Sequence, residues 1–381
     1  MIYLDNSATT RVLDSAAEAA AHCMREAFFN PASAYAPAAA VEKQVEAARA
    51  RLAACLHADS SELLYTSGGT ESNNTAIFGT LRAMRGRKRI ITSGVEHPSV
   101  YEVFRALENA PDTEVVYLGV DGEGRIRLDE LSAALTEDTA LVSLMQVNNE
   151  TGAINDLSGA QALIKKRASH AYFHVDGVQG FGKLPFGPVP CDLYSISGHK
   201  LHAPKGVGAL YVKRTVRFQG GLIGGGQERN LRSGTTNTPG ILGLDASLTA
   251  YTLNQEQWRR HMYDCKERLA KNLLCIPDSG INGPAPAMGA PHILNVSFPG
   301  VRGEVLLHAL AQKEIYVSTG SACSAHKRGK NRVLAAMGVM GPRQEGALRF
   351  SLCPFNTLEE MDIAAQAVAE QVAFLRRYQR R

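Results

Sequence analysis

Residues 171–200 read AYFHVDGVQGFGKLPFGPVPCDLYSISGHK. Two short apolar runs lie here, AYFHVDGV and DLYSISG, rich in Val, Ile, Leu, Phe or Tyr and halted by glycine. Asp176 ends the first run, and Ser197, Gly198, His199 and Lys200 close the second. Similar runs come earlier as ELLYTSG, RIITSGV, EVVYLGV and ALVSLMQV, and later as VGALYV. Helical patterns separate several of them. In 37–57, Val41, Val45, Ala48, Leu52 and Leu56 fall on one face at three-to-four spacing. Buried strands alternating with amphipathic helices predict an α/β fold built on a mostly parallel, doubly wound, seven-stranded sheet. Ligands then bind beyond the carboxyl ends of the strands.

The pattern changes near residue 250. A polar helix, NQEQWRRHMYDCKERLAKNLL, leads into the loop IPDSGINGPAPAMGAP. A strand HILNVSFPG, a helix around 303–312, a strand EIYVSTG, a strand in ALRFSLCPF and a last helix follow. That helix opens with the capping box Thr357-x-x-Glu360 and presents Met361, Ala365, Val368, Val372 and Leu375 on one face. The expected division is a large domain, 12–252, and a smaller α+β domain, 253–381, joined by the N-terminal segment 1–11.

The totals exclude several classes. A chain of 381 residues is long enough for a sizeable core and for division into two domains. Its formal charge of +4 is too small to imply a nucleic-acid partner, and basic residues cluster only at 326–332 and in the final RRYQRR, read as a solvated helix end. No apolar window approaches the roughly 18 residues of a membrane span, so no membrane partner is expected. MIYLDNSATT has no apolar stretch resembling a signal peptide. The cysteines are Cys23, Cys55, Cys191, Cys265, Cys275, Cys323 and Cys353, odd in number and without CxxC. That argues against a disulfide framework or a zinc site and for a reducing, cytoplasmic setting. Cysteines outside the chemistry are expected to be small buried hydrophobes.

Individual stretches carry candidate chemistry. In YTSGGTESNNTAI, 65–77, Gly68 and Gly69 let backbone N–H groups approach an anion, and Thr70 adds a hydroxyl at a helix start. The same residues also make a plain tight turn with Thr70 as cap. Asp176 can hold a heteroaromatic nitrogen protonated, or cap a helix; Gln179 by itself says nothing. Lys200, flanked by Gly, Pro and apolar residues, faces the same cleft and suits a Schiff base, against the ordinary reading of a loop lysine in solvent. Ser197 and His199 could add phosphate or ring contacts. GGGQERNLRSGTTN, 224–237, reads equally as a second anion-contacting loop or a surface loop. His97 in GVEHPSV suits ring stacking or proton transfer, or a structural role. Asn148 and Asn149 in VNNETGAI cap a helix or bond a ligand. Arg349, among apolar neighbours in LRFSL, offers a fork that fits a carboxylate, or makes an internal salt bridge. Finally, YVSTGSACSAHKRGKNRVL, 316–334, sets Cys323 among small residues just before a basic run.

Taken together, these stretches resemble the cysteine desulfurase family, the NifS/IscS-like pyridoxal-phosphate enzymes of the aspartate-aminotransferase fold (fold type I). The likeness runs from YLDNSATT to RFSL through NPAS, TSGGTESNN, EHPSV, NNETGAI, HVDGVQ, SGHK, PKGVGALYV, GGGQER, RSGT and GSACS. The resemblance implies that Lys200 carries pyridoxal 5'-phosphate (PLP) as a Schiff base. Asp176 would pair with the pyridine nitrogen, Gln179 with the ring hydroxyl and His97 with the ring face. Asn149 would contact the cofactor. Gly69, Thr70, Ser197 and His199 would bind the phosphate. Thr235 would reach the phosphate in a partner subunit, which implies a homodimer. Arg349 would hold the carboxylate of L-cysteine, and Cys323 would be the nucleophile.

The chemistry so implied removes sulfur from L-cysteine, leaving L-alanine and a persulfide on Cys323. The sulfur then passes to an acceptor protein of iron–sulfur assembly or tRNA thiolation, the spacing from Cys323 to VLAAMG resembling the longer-loop branch of the family. An ordinary thiol has a pKa of about 8.5, so the basic run at 326–332 is expected to favour the thiolate. Departures from the family pattern stand at Tyr35, at Asn155 and at Cys353-Pro354. The competing expectations are a selenocysteine lyase or an aminotransferase of the same fold, and a non-catalytic nucleotide-binding or scaffold protein. The first two differ in their need for Cys323 and in selenium preference; the last would be colourless and indifferent to loss of Lys200.

Overall fold

The computed structural model describes residues 1–86, 88–320 and 331–378. After strand β1 (Ile2–Tyr3), the seven apolar runs become β2 (Leu63–Thr66), β3 (Lys88–Ser93), β4 (Thr113–Leu118), β5 (Thr139–Met145), β6 (Tyr172–Asp176), β7 (Leu193–Ser197) and β8 (Gly208–Val212). They form one sheet in the order β2-β8-β7-β6-β5-β3-β4. Neighbours from β4 to β7 are parallel, and β8 alone runs antiparallel to both of its neighbours.

The helices of this part are α1 (Asp14–Arg25), α2 (Ala36–Cys55), α3 (Gly69–Arg82), α4 (Pro98–Leu107), α5 (Leu128–Ala134) and α6 (Leu157–Arg167). Successive strand side chains point to opposite faces, and the helices divide accordingly. Ile90 and Leu141 pack with Ile77 and Leu81 of α3 and Val100 and Phe104 of α4. Ile91 and Val142 pack with Val45 and Leu52 of α2, Leu131 of α5 and Ile164 of α6. The sheet is therefore wound on both faces, as the run of buried strands predicts. His174 on β6 sits inside it, with Nδ1 2.7 Å from Ser143 Oγ on β5 and Nε2 3.0 Å from Ser195 Oγ on β7.

Helix α7 (Thr238–Leu273) is a single 36-residue helix that passes residue 252 without interruption. Its first half buries Ile241, Leu244, Leu248 and Tyr251 in the core of the large sheet. Its last turns bury Cys265, Leu269, Ala270 and Leu273 in a second core. That core also holds Ile2 and Leu4, side chains of α8 (Gly303–Ala311) and the buried face of α11 (Leu358–Tyr378). Its strands are β9 (Gly280–Ile281), β10 (Ile293–Ser297), β11 (Ile315–Tyr316) and β12 (Ala347–Ser351), with short helices α9 (Arg332–Ala336) and α10 (Gly341–Glu345) between β11 and β12. β10 pairs antiparallel with β9 and β12, and β1 pairs parallel with β11. The capping box of α11 forms: Thr357 N donates to Glu360 Oε2 at 3.0 Å and Glu360 N to Thr357 Oγ1 at 3.1 Å.

Two expectations are corrected. Five of the six described cysteines are buried, but Cys275 is exposed at the end of α7. The final basic stretch is not wholly solvated, because Arg376 donates to Pro299 O and Pro277 O and ties α11 to two loops.

Candidate active site

A cleft of about 240 Å³ opens at the carboxyl ends of β5, β6 and β7. Its wall takes Gly69, Thr70 and Asn73 from the start of α3, and His97 and Ser99 from the start of α4. Met145, Val147 and Asn149 follow β5; Asp176, Val178 and Gln179 end β6; Ser197, His199 and Lys200 end β7. Ser7, Ala8 and Arg349 close it from the smaller part of the molecule. A larger open groove of about 740 Å³ runs past Trp258 and His261 on α7 and Pro354 after β12, and contains none of these residues.

Lys200 lies in the tight turn that follows β7, and its Nζ donates to Ser7 O at 2.5 Å and Ala8 O at 2.7 Å. Behind it, the buried Lys183 donates to the Lys200 carbonyl at 2.6 Å and to the Tyr251 hydroxyl at 2.7 Å. Burial without a carboxylate partner lowers the Lys183 pKa to about 7. Asp176 is the last residue of β6. Its Oδ1 accepts from Val178 N at 3.0 Å and its Oδ2 from Asn73 Nδ2 at 2.8 Å. It is thus both a turn cap and a cleft carboxylate.

His97 is the N-cap of α4, and its Nδ1 accepts from Ser99 N at 3.1 Å. Burial pushes its pKa below the ordinary histidine value; Asp176 opposes this, while Lys200 and Arg332 reinforce it. His199 Nδ1 lies 3.1 Å from Thr9 Oγ1, and burial, with Lys200 and Lys205 nearby, lowers its pKa to about 4. Both rings are therefore neutral near pH 7. Gln179 donates to Ser7 O at 3.0 Å and its Oε1 lies 3.2 Å from His292 Nε2.

Arg349 is buried on β12, where Nη2 meets Asp5 Oδ1 at 2.7 Å and Nη1 donates to Asn149 O at 2.9 Å. The internal salt bridge and the cleft position are both realised. At Gly69 the backbone runs so close to the wall that a Cβ would stand 2.7 Å from Val178 Cγ2 and 3.4 Å from Ser197 Cβ. The absent side chain keeps the N-terminal backbone of α3 open to the cleft.

Thr235 is exposed and stands outside the cleft. Cys323 lies outside the described residues. The chain on either side of it is fixed at the cleft: Ser318 and Arg349 exchange backbone hydrogen bonds, and Asn331 Nδ2 donates to Glu150 Oε2 at 2.6 Å. Arg332, the last residue of the basic run at 326–332, turns inward. Its guanidinium is partly buried, donates to Gly94 O and Glu96 O, and lies 3.8 Å above the Tyr101 ring. It braces the turn carrying His97. In the loop 224–237 both arginines already have protein partners. Arg232 is paired with Glu71 at 2.7 Å, and Arg229 donates to the Leu63 carbonyl. Glu228 in the same loop closes a buried bidentate pair with Arg49. Asn148 is structural, its Oδ1 accepting from Glu150 N and Thr151 N. Asn155 spans Met145 O and Ile126 N.

The sequence reading passed over Asn73, Ser99, Asp5 and the carbonyls of Ser7 and Ala8. Their motifs TESNN, EHPSV and YLDNSATT were in view, but contacts between distant segments set their roles.

The residue set fits PLP. A carboxylate stands at one side, a lysine amine reaches the cleft, and hydroxyls, an imidazole and an open helix N-terminus offer phosphate donors. The buried Asn73 Oδ1 has no protein partner among the described residues and leaves an acceptor in the cleft wall.

The model of the family described as aminotransferase class-V matches residues 2–363. A cysteine desulfurase of Trichormus azollae is 42% identical over 379 residues, covering 99% of this chain and 94% of that protein. The cysteine desulfurase IscS of Methanosarcina thermophila is 40% identical over 378 residues, covering 98% and 93%. A solved structure described as a NifS-like protein superposes with a TM-score of 0.91 at 37% identity, covering 98% of this chain and 99% of that one.

Proposed function

The chain belongs to the class-V aminotransferase family, and from that premise we propose that it is a PLP-dependent cysteine desulfurase acting on L-cysteine. The observation that carries this reading is the convergence in one cleft of every site residue that the resemblance implies, except Thr235 and Cys323. PLP, when bound, supplies the electron sink for bonds broken at the substrate α-carbon and beyond.

The roles proposed are those that the resemblance implies. Lys200 holds the cofactor and afterwards moves the α-proton. Asp176 would pair with the pyridine nitrogen, Gln179 with the ring hydroxyl, and neutral His97 with the ring face. Asn149 borders the cofactor. Gly69, Thr70, Ser197 and His199 receive the phosphate. Arg349 takes the substrate carboxylate, its guanidinium already aimed by Asp5 and Asn149. Cys323, three residues beyond Gly320 in the sequence, supplies the nucleophile. The thiolate attacks the substrate sulfur. The carbon–sulfur bond breaks, its electron pair stays with the substrate carbon, and protonation gives alanine while the sulfur remains as a persulfide on Cys323. An acceptor protein then takes the sulfur. The finer parts of the reading are an acceptor in iron–sulfur assembly or tRNA thiolation, a homodimer in which Thr235 serves the partner's phosphate site, and a cytoplasmic location. So is the division into 12–252 and 253–381 with 1–11. No described helix is long and apolar enough to cross a membrane.

Intact-protein mass after L-cysteine without reductant tests this reading. One added sulfur on wild type, absent from Cys323→Ala and removed by dithiothreitol, is expected. No added sulfur on wild type with bound PLP would reject it in favour of an aminotransferase-like reaction.

A further inference from the structure

Asn73 lies in the first turns of α3, is buried, and borders the cleft. Its amide nitrogen has two hydrogens, and each meets an acceptor. One goes to Asp176 Oδ2 at 2.8 Å and one to Ser99 Oγ at 2.8 Å. Ser99 Oγ also lies 2.7 Å from His97 Nδ1, and because that nitrogen accepts from the Ser99 N–H, the hydroxyl hydrogen is directed at it. The Ser99 backbone N–H points at the same nitrogen from 3.1 Å. With Nδ1 accepting twice, the proton of the neutral ring sits on Nε2.

We propose that Asn73 is a positioning residue that fixes two cofactor-facing groups with one amide: it orients the Asp176 carboxylate and, through Ser99, holds His97 with Nδ1 as acceptor. The proposal rests on the reading of the cleft as a PLP site. The charged and titratable groups facing His97 are Asp176 on β6, Lys200 and His199 after β7, and Arg332 on α9. Asp176 alone of these favours the imidazolium. By occupying one lone pair of the Ser99 hydroxyl, the amide biases that hydroxyl to donate to Nδ1 and so favours the neutral ring beside that carboxylate.

The arrangement has an asymmetric consequence. Without Asn73, the Ser99 hydroxyl is free to turn and accept from a protonated Nδ1, so the imidazolium becomes tolerable. Without the Ser99 hydroxyl that acceptor is gone, and the backbone N–H still opposes protonation of Nδ1. Asn73→Ala therefore raises the pH at which His97 protonates; Ser99→Ala does not; the double variant follows Ser99→Ala.

The test titrates PLP into apoprotein of wild type and the three variants, followed by cofactor absorbance, from about pH 5 to about pH 9, where histidine charge changes. It is paired with the pH profile of kcat/KM for L-cysteine. Asn73→Ala is expected to bind PLP roughly ten- to a hundredfold more weakly, as for loss of a hydrogen bond to a charged group. Its acidic limb moves to higher pH in both binding and kcat/KM. Ser99→Ala and the double variant keep the wild-type limb. Equal shifts in Asn73→Ala and Ser99→Ala, or no shift in either, would overturn the proposal and leave Asn73 a packing residue. Wild-type apoprotein that takes up no PLP overturns the cofactor reading, and the proposal with it. Should Asn73→Ala not fold, Asn73→Ser carries the same comparison.

Discussion

Arg349 carries its charge in a nearly dry position, 1% exposed, where a guanidinium is held only by what it bonds. Two of its nitrogens are committed, to Asp5 and to the carbonyl of Asn149, and its Nε has no partner among the described residues. The plane of the fork is therefore set before a substrate enters, which suits a bidentate grip on a carboxylate. A lysine is a point charge on a flexible stem and cannot reproduce that plane. Arg349→Lys is expected to raise KM for L-cysteine roughly ten- to a hundredfold, the equivalent of one lost charged hydrogen bond. On the proposed reading Arg349 serves the substrate carboxylate, so the absorbance of bound PLP should stay as in wild type. Steady-state kinetics with parallel spectra decides it, and an unchanged KM would place the carboxylate contact elsewhere.

At the scale of elements, the start of α3 shows what a single missing carbon does. The turn before it, with Gly68 at φ +148°, delivers the first backbone N–H groups of the helix to the cleft wall, and a Cβ at Gly69 would stand 2.7 Å from Val178 Cγ2. Val178 is β-branched and has little freedom to withdraw. Gly69→Ala should push α3 away from β6 and weaken PLP binding about tenfold or more, with fluorescence titration of the apoprotein as readout; unaltered affinity would remove α3 from the phosphate site. Elements of this sort are legible in sequence because their signals are local. The seven strand runs, the glycine turn, the α11 capping box and the order of Lys200 after Asp176 all lie within short windows. What stayed hidden depends on pairing across the chain. Nothing local to YLDNSATT says that Asp5 meets Arg349 or that Ser7 and Ala8 receive the Lys200 amine. Nothing in GGGQERNLRSGTTN says that Arg232 is already paired with Glu71. A basic run likewise gives no hint that Arg332 turns inward onto carbonyls while its neighbours in sequence do not decide its direction.

At the scale of the whole molecule, the buried titratable groups set how stability depends on pH. His174 and His202 are lowered to about 3 and His199 to about 4, all by burial first. Unfolded histidines bind a proton near pH 6.5, so the unfolded chain holds more protons between about 4 and 6.5 and stability rises with pH across that window. Glu96 works in the opposite sense. Burial raises its pKa to about 8, with Asp176 adding to the effect and Ser93 and Met145 N opposing it. An unfolded glutamate titrates near pH 4.3. The folded chain therefore holds the extra proton between about 4.3 and 8, and the contribution of Glu96 is complete below that window and lost as pH rises through it. The lysines Lys183 and Lys266, each lowered to about 7 by burial, add stability as pH climbs from about 7 towards 10.4. One variant separates these terms. Gln at position 96 keeps an oxygen to accept from Ser93 Oγ and Met145 N, as Glu96 Oε1 does at 2.6 and 3.1 Å, and it never ionises. Glu96→Gln should match wild type closely near pH 4 and exceed it by an amount on the order of 1–3 kcal/mol near pH 8.5, a few pKa units being worth that much after relaxation. Urea unfolding of the PLP-loaded protein at the two pH values measures the difference. A gap that is the same at both would mean that Glu96 is ionised in the folded protein throughout, and that the turn holding His97 carries a buried negative charge instead of a proton.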